Sequence, residues 1–146
     1  LRRALRRSEA VGHAERLLAQ SQRSRARLLG DLERRGVAAE TRETLMDDLE
    51  QAGLVSDTRA AADRARALAE RGWANVAIST FLSDEGYDGE TCRTALAGLD
   101  DEVARARVTL SRKRRTPHQA ARFLGQRGFD PELVEELLVA DAGMEG

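Results

Sequence analysis

The sequence predicts an all-α protein made of three tandem three-helix repeats, the last one truncated, that form an elongated curved array. Leucine and alanine dominate the 146 residues, while aromatic side chains make up 3% and prolines number two, which is typical of helical chains. A short helix–corner–helix phrase also occurs three times. From Gly36 to Gly86 to Gly128, its copies lie 50 and then 42 residues apart, which is the size of a helical repeat.

The repeated phrase is a leucine, three further residues, a glycine, a bulky apolar residue and an acidic residue three positions on. Its copies are Leu32–Gly36–Val37–Glu40, Leu82–Gly86–Tyr87–Glu90 and Leu124–Gly128–Phe129–Glu132. Glycine adopts the left-handed conformation at low cost, so it can close a helix, and the apolar residue after it makes the hydrophobic contact of a Schellman end. Asp88 and Asp130 can cap the following helix, and Pro131 suits its first position.

We expect four segments along the chain. These are a helical extension over residues 1–22, repeat one over 23–71, repeat two over 72–115, and repeat three with a tail over 116–146. Each repeat begins with the helix that ends at a corner glycine and continues through the next helix to a third one, which repeat three lacks. A unit of this size buries too little apolar surface to be stable alone, so the repeats are expected to stack.

Small polar residues at capping positions predict where the helices begin. In chain order these are Ser8, Ser24, Ser56 or Asp57, Asp100 with Asp101, and Thr116 followed by Pro117. The second helix of repeat one is expected from about Ala39 to Gln51. The last helix is expected from Pro131 to about Ala140, with a frayed tail after it. The first helix of repeat two is expected to place four apolar residues inward, namely Val76, Ile78, Phe81 and Leu82.

Charge is distributed in blocks, although the net charge is only −1. Residues 1–36 carry ten arginines against four acids, and residues 37–100 carry six against thirteen. Residues 101–127 carry eight basic side chains against two acids, and residues 128–146 carry six acids and no base. Such blocks can steer a charged partner, or they can simply be the solvated faces of charged helices. Both interpretations stay open.

The sequence offers almost no catalytic chemistry. Its two histidines, His13 and His118, lie far apart and outside any metal-ligand pattern. Cys92, the single cysteine, falls on an apolar helical face, which favours a buried structural thiol over a nucleophile. We therefore expect a protein that is not an enzyme and uses no metal or cofactor. No apolar stretch is long enough to span a membrane, which favours a soluble cytoplasmic protein.

Two groups of basic residues are candidate partner contacts. The first is expected at the end of repeat two and in the helix after it, and comprises Arg71, Trp73, Arg112, Lys113, Arg114, Arg115, Arg122 and Arg127. The second comprises Arg2, Arg3, Arg6, Arg7, Arg23, Arg25, Arg27, Arg34 and Arg35. Such groups can bind an acidic protein surface or nucleic-acid phosphates. For Trp73, a wedge between repeats is the better interpretation, with a stacking platform as the alternative.

Three passages resemble the RecX family, bacterial regulatory proteins that modulate the RecA recombinase. They are Ser24-Arg25-Ala26-Arg27-Leu28 through Gly36 to Gly53 and Asp57, Gly72-Trp73-Ala74 through Ile78 and Leu82 to Tyr87, and Arg122-Phe123-Leu124-Gly125-Gln126-Arg127-Gly128-Phe129. The resemblance covers roughly residues 14–140 in matching order and spacing. It departs at Ala74, where the family has glycine, and at Phe81 and Glu85, where a glutamate and a basic residue are common. Residues 53–62 lack the family's aromatic and second aspartate.

The resemblance implies a modulator that binds in the helical groove of the RecA–single-stranded DNA filament. It implies inhibition of filament extension and of the recombinase, ATPase and co-protease activities, in homologous recombination, DNA repair and the SOS response. The expected partner is the RecA filament, with single-stranded DNA as a further contact, no membrane, and a monomeric state. The residues alone leave an alternative, a helical DNA-binding regulator that does not act on RecA, because helix–corner–helix units are also used to read DNA.

Overall fold

The protein is described by a computed structural model over residues 6–20 and 24–144, with the backbone alone for residues 18–20 and 141–144. Within these residues the chain forms nine α-helices and no strand. In chain order they are α1 (Arg7–Gln20), α2 (Arg25–Arg34), α3 (Ala39–Gln51), α4 (Asp57–Glu70), α5 (Asn75–Asp84), α6 (Gly89–Ala97), α7 (Glu102–Ser111), α8 (Pro117–Gln126) and α9 (Pro131–Met144). The all-α prediction is confirmed, whereas the elongated curved shape stays a prediction.

The three corner glycines end their helices as expected. Their φ angles are positive, at 81° for Gly36, 98° for Gly86 and 92° for Gly128. The residue after each glycine donates its N–H to the carbonyl of the leucine of the phrase, over 3.1, 3.2 and 3.1 Å. Those following residues are buried, with exposures of 2, 4 and 4%. This is the hydrogen bonding and apolar contact of a Schellman end.

Most predicted caps are also present. Ser24 and Ser56 cap α2 and α4, so Ser56 and not Asp57 is the cap of the third helix. Thr116 begins α8 with a capping box formed with Gln119. Asp88 accepts from the N–H of Thr91 at the start of α6, and this bond lowers the pKa of Asp88 below its usual value.

Two predicted helix boundaries are wrong. Ser8 lies inside α1, because the carboxylate of Glu9 accepts from the N–H of Arg6 and caps the helix earlier. The last helix continues to Met144, since no proline interrupts its run of helix formers, so residues 141–144 are not a frayed tail. Residues 145–146 lie outside the described residues. Helix α7 ends at Ser111, whose hydroxyl donates to the carbonyl of Val108.

The apolar face predicted for the first helix of repeat two is only half correct. Ile78 and Leu82 are fully buried, four positions apart on one side of α5. Val76 is 72% exposed and Phe81 is 39% exposed. Val76 lies two positions before Ile78, on the opposite side of the helix, and Phe81 lies three positions after Ile78, on the flank. Only Ile78 and Leu82 therefore face the core.

The buried residues form three apolar clusters, each made by three consecutive helices. The first joins α1, α2 and α3, the second α4, α5 and α6, and the third α7, α8 and α9. Each cluster thus takes in the helix that precedes the corner pair. The predicted segments 23–71 and 72–115 follow the sequence period, from which the clusters are offset by one helix, and these segments stay a prediction.

Two equivalent contacts join successive repeats. In the first junction, the hydroxyl of Ser24 donates to the carbonyl oxygen of Glu85 over 2.7 Å. In the second junction, the N–H of Ala74 donates to the carbonyl oxygen of Arg127 over 2.9 Å. Each donor caps the first helix of one repeat, and each acceptor precedes the corner glycine of the next. Repeats one and two therefore each contact the helix corner of the repeat that follows.

Candidate partner-binding site

Five side chains of the second junction stack into one group, called here the aromatic–arginine cluster, that comprises Trp73, Phe81, Arg115, Phe123 and Arg127. The guanidinium carbon of Arg127 lies 4.6 Å from the ring centroid of Trp73 and 4.9 Å from that of Phe123. That of Arg115 lies 4.1 Å from the Phe123 centroid. Phe81 meets Trp73 edge to face, with centroids 5.5 Å apart. The cluster thus connects α5, α8 and both segments that precede them.

The chain reaches this arrangement because Gly72 brings the backbone close to α7 and α8. Its φ is +87°, and a Cβ there would lie 3.0 Å from Thr109 and 3.5 Å from the ring of Phe123. Any larger residue would push Trp73 away from its partners. Arg105 holds the same stretch from the other side, since its Nη2 donates to the carbonyl of Trp73 over 3.1 Å.

The Arg105 side chain is partly buried and bridges two loops. Its Nη1 donates to the carbonyl of Asp100 over 3.0 Å, while its Nη2 reaches Trp73. Burial lowers the pKa of Arg105, and the carboxylates of Glu102, Asp101 and Asp100 act in the opposite direction. Arg105 therefore positions the backbone beneath the aromatic–arginine cluster.

Two arginines of the cluster are held by ring faces rather than by carboxylates. Arg115 Nη1 and Arg127 Nε are buried and form no hydrogen bond with any described residue. Both belong to guanidinium groups that lie over aromatic rings, where the negative face of the ring attracts the cation. Arg115 and Arg127 thus have a structural part in the junction, and their buried N–H groups do not face a partner.

Between α7 and α8 lies the cationic turn, residues 112–115. It follows α7, whose C-cap is Arg112. The Nη1 of Arg112 donates to the carbonyl of Glu70 over 3.1 Å, which ties the turn to the end of α4. Lys113 and Arg114 are exposed, and neither forms an ion pair or side-chain hydrogen bond with a described residue. These two charges are therefore presented to solvent.

The structure brings together part of the predicted set of contact residues. Trp73, Arg115 and Arg127 stack with one another through Phe123, and Arg112 reaches the residue that precedes Arg71. Exposed Arg71 and Arg122 form no side-chain contact of this kind with other described residues. The predicted wedge role of Trp73 fits its half-buried position between two repeats.

Sequence reasoning missed three members of the site. Phe81 was expected in the core, while Phe123 and Arg105 were not singled out as site residues. A signal for Phe123 was present, because Phe123 and Arg127 lie four residues apart on one helical face. The spacing of eight residues from Trp73 to Phe81 recurs from Arg115 to Phe123, which also indicates equivalent positions.

The second predicted basic group is partly neutralised within the chain. Arg7 pairs with Asp48, Arg34 pairs with Asp31, and Arg25 donates to Glu50 over 2.5 Å, which raises the pKa of Arg25. Arg35 donates to His13 over 3.2 Å. Arg2, Arg3 and Arg23 lie outside the described residues. Exposed ion pairs contribute little stability, and they involve three of the six described arginines of this group.

The described residues, 6–20 and 24–144, carry no cluster of metal ligands, and their one thiol is buried. No group of three or more His, Cys, Asp or Glu side chains in these ranges could hold a metal ion. Cys92 is buried, as predicted, and burial raises its thiol pKa, which disfavours the reactive thiolate. Nor does any helix in the described part of the chain have the length and apolar character needed to cross a membrane.

The fold is that of an all-helical protein with repeated corners, and in this chain one junction between corners carries a cationic and aromatic surface. Two solved structures share the fold. RecX from Lactobacillus salivarius superposes with a TM-score of 0.75 at 16% identity, over 92% of this chain and 95% of that one. A second regulatory protein RecX gives a TM-score of 0.70 at 17% identity, over 90% of this chain and 70% of that one. No family model matches the sequence.

A sequence relative identifies the family. The regulatory protein RecX of Mycobacterium leprae (strain Br4923) is 32% identical over 143 residues, which is 89% of this chain and 84% of that protein. The chain belongs to the RecX family of regulatory proteins, as its sequence resemblance predicted.

Proposed function

We propose that this protein binds the RecA–single-stranded DNA filament and inhibits its extension and its recombinase, ATPase and co-protease activities. Membership of the RecX family supports a regulatory role. The observation that carries the contact is the cationic turn, where Lys113 and Arg114 form no ion pair or side-chain hydrogen bond with a described residue. Such a role requires binding and no catalysis by this chain, and it places the protein in cytoplasmic DNA repair and homologous recombination.

The cationic turn suits a partner that combines protein and nucleic acid. Its free ammonium and guanidinium groups can reach phosphates or carboxylates, with the attraction falling as salt rises. Arg112 is tied to α4, and Arg115 is stacked on Phe123, so the turn is held at both ends. Because the ends of the turn are already held, Lys113 and Arg114 lose little backbone freedom on binding, which favours affinity.

The test is RecA ATP hydrolysis on single-stranded DNA with and without this protein. We expect inhibition at equimolar protein. The double variant Lys113→Glu with Arg114→Glu should need about tenfold more protein for half-inhibition, because a tenfold loss corresponds to roughly 1.4 kcal/mol of binding free energy. Neither side chain forms a hydrogen bond, ion pair or ring contact with a described residue, so circular dichroism should show unchanged helicity.

A control variant with the same charge change is Arg16→Glu with Arg93→Glu, on exposed positions of α1 and α6. It should inhibit within about twofold of the wild-type protein if the location of charge matters rather than its sum. Equal weakening by both double variants would assign the contact to overall charge. Absence of inhibition by the wild-type protein would rule out the proposed function.

The alternative, a helical DNA-binding regulator that does not act on RecA, draws on the same free charges of the cationic turn. Titrating single-stranded and duplex DNA at two salt concentrations separates the two functions. Tight, sequence-selective binding of duplex DNA without RecA would favour the alternative. Weak binding that disappears at the higher salt concentration is expected for the filament modulator, since phosphate contacts alone are strongly salt-dependent.

A further inference from the structure

The outer face of α5 carries a single charge, that of exposed Asp84 at the last residue of the helix, in a protein where 34% of residues are charged. From Trp73 to Ser83 eleven consecutive residues carry no Asp, Glu, Lys or Arg, and together with Gly72 they form the longest such stretch in the sequence. The equivalent helices differ, because α2 carries five charged residues among ten and α8 carries an arginine on its exposed side. Helix α5 therefore presents a surface of a different kind from its counterparts.

That face is apolar before its last turn. Val76 is 72% exposed, and Phe81, five positions further on, is 39% exposed at the flank of the helix. Thr80 is exposed between them and lies four positions from Val76, which places both on one side. The inward side of α5 is already occupied by Ile78 and Leu82, so the fold does not need the outer apolar residues.

The second junction does not cover this face either. The corner at Gly128 approaches α5 through Ala74 and Ala77, whose Cβ atoms would lie 3.7 and 3.1 Å from a Cβ at Gly128. Val76 and Thr80 are left outside that contact. Phe81 meets Trp73, whose own ring lies under the guanidinium of Arg127. This face thus adjoins the aromatic–arginine cluster at one edge.

We propose that Val76, Thr80 and Phe81 form a protein-contact surface for an apolar patch with acidic groups at its edge. This inference rests on the proposed function, in which the partner is a protein subunit of the RecA filament, and it assigns that subunit to α5 while the cationic turn takes phosphates. Interface centres are depleted of charge and enriched in aromatic residues and arginine. The exposed valine and phenylalanine beside Trp73 and Arg127 match that composition.

Charge complementarity selects a protein over nucleic acid for this face. A DNA strand presents a phosphate at every nucleotide, and eleven residues without a cation cannot neutralise them. The positive charge lies at the border, where Arg127 and Arg115 are stacked on the rings. A partner that places apolar atoms on Val76 and carboxylates near Arg127 would satisfy both parts of the surface.

The test compares Val76→Asp with Val139→Asp, a matched control on α9 where the valine is 66% exposed. An acid at the first turn of α5 suits the helix dipole, so Val76→Asp should keep its fold. Binding to the preassembled RecA filament and to single-stranded DNA alone is measured by fluorescence anisotropy. Val76→Asp should weaken filament binding about tenfold and leave DNA binding within twofold, whereas the control should change neither by more than about twofold.

Val76→Thr keeps the shape of the side chain and replaces a methyl by a hydroxyl, so it should weaken filament binding less than Val76→Asp does. Filament binding by Val76→Asp equal to that of the wild-type protein would overturn the inference alone. An equal loss of filament and free-DNA binding would also overturn it, because the face would then contact nucleic acid. If the wild-type protein does not bind the filament at all, the inference falls together with the proposed function.

Discussion

The two junctions between repeats use the same acceptor position but differ in the donor and in the side chains around it. In both, the N-cap residue of the first helix of one repeat donates a hydrogen bond to the carbonyl oxygen that precedes the corner glycine of the next repeat. The residue that supplies that carbonyl is Glu85 in the first junction and Arg127 in the second. Glu85 pairs with Arg64 over 3.1 Å, whereas Arg127 stacks on two rings. The backbone thus fixes how repeats dock, and the side chain at this position is free to serve another purpose.

The largest expected effect comes from substituting the corner glycine, which both junctions have in common. A Cβ at Gly86 would lie 2.9 Å from that of Ala26, at a φ of +98°. We expect Gly86→Ala to lower the free energy of unfolding by roughly 2–5 kcal/mol, from left-handed strain together with overpacking. Gly53→Ala is the control, because its φ is +73° with nothing within 4 Å, and it should cost roughly 1–2 kcal/mol. Urea denaturation followed by circular dichroism measures both.

Equal losses in the two variants would mean that strain alone matters and that the first junction has no tight contact. Gly128→Ala tests the second junction in the same way, since its nearest contact is 3.1 Å from Ala77. A loss between those of Gly86→Ala and Gly53→Ala is expected there.

A smaller effect is expected from the side chains that distinguish the junctions. Arg127→Ala removes two cation–π contacts of a half-buried guanidinium and should cost about 1–2 kcal/mol. Glu85→Ala removes one partly exposed ion pair and should cost under about 1 kcal/mol. Because Trp73 is the only tryptophan, its fluorescence should change in Arg127→Ala and stay unchanged in Glu85→Ala. A larger loss for Glu85→Ala would reverse the contrast drawn between the junctions.

The smallest expected effect is a pH dependence confined to the first junction. Burial raises the pKa of Tyr87 to about 12, with Glu85 and Asp57 acting in the same direction. The neutral phenol is favoured in the folded chain, so this contribution is complete below pH 10 and is lost as pH rises through 12. At pH 10.5 the loss should be about 1 kcal/mol. Tyr87→Phe should remove this part of the alkaline slope in urea denaturation.

The equivalent residue of the second junction is Phe129, which cannot ionise. Phe129→Tyr is therefore the reciprocal variant, and it should gain an alkaline slope if its phenol is equally buried. A slope that is unchanged in Tyr87→Phe would show that Tyr87 titrates normally in the folded protein.

The corners could be predicted from sequence because they depend on local chemistry. A positive φ selects glycine at Gly36, Gly86 and Gly128, and the leucine and the apolar residue around each glycine follow from the same hydrogen-bonded turn. Capping at Ser24 and Thr116 is local in the same sense. Such features are visible in a single stretch of chain.

The site was harder to predict because it depends on distant residues. Arg115 and Arg127 looked like free charges, yet each lies over a ring supplied by another part of the chain. Phe81 looked like a core residue, yet it lies on the flank of α5 and meets the ring of Trp73 from the preceding segment. The offset of the apolar clusters was likewise hidden, since the corner phrase does not indicate which neighbour a third helix joins.

That offset has a consequence for how such a protein can change size. A segment copied from one corner phrase to the next carries the third helix of its own repeat, but α4 belongs to the apolar cluster of α5 and α6. The segment that recurs in the sequence is therefore not the same set of helices as the one that shares an apolar cluster. In a duplicated segment, the first two helices would complete the apolar cluster that the third helix of the preceding repeat begins. Its own third helix would need the next repeat to complete a cluster, so neighbouring repeats would depend on each other. A cut made inside the connection after α3 would separate whole clusters, whereas a cut at Arg71 would divide one.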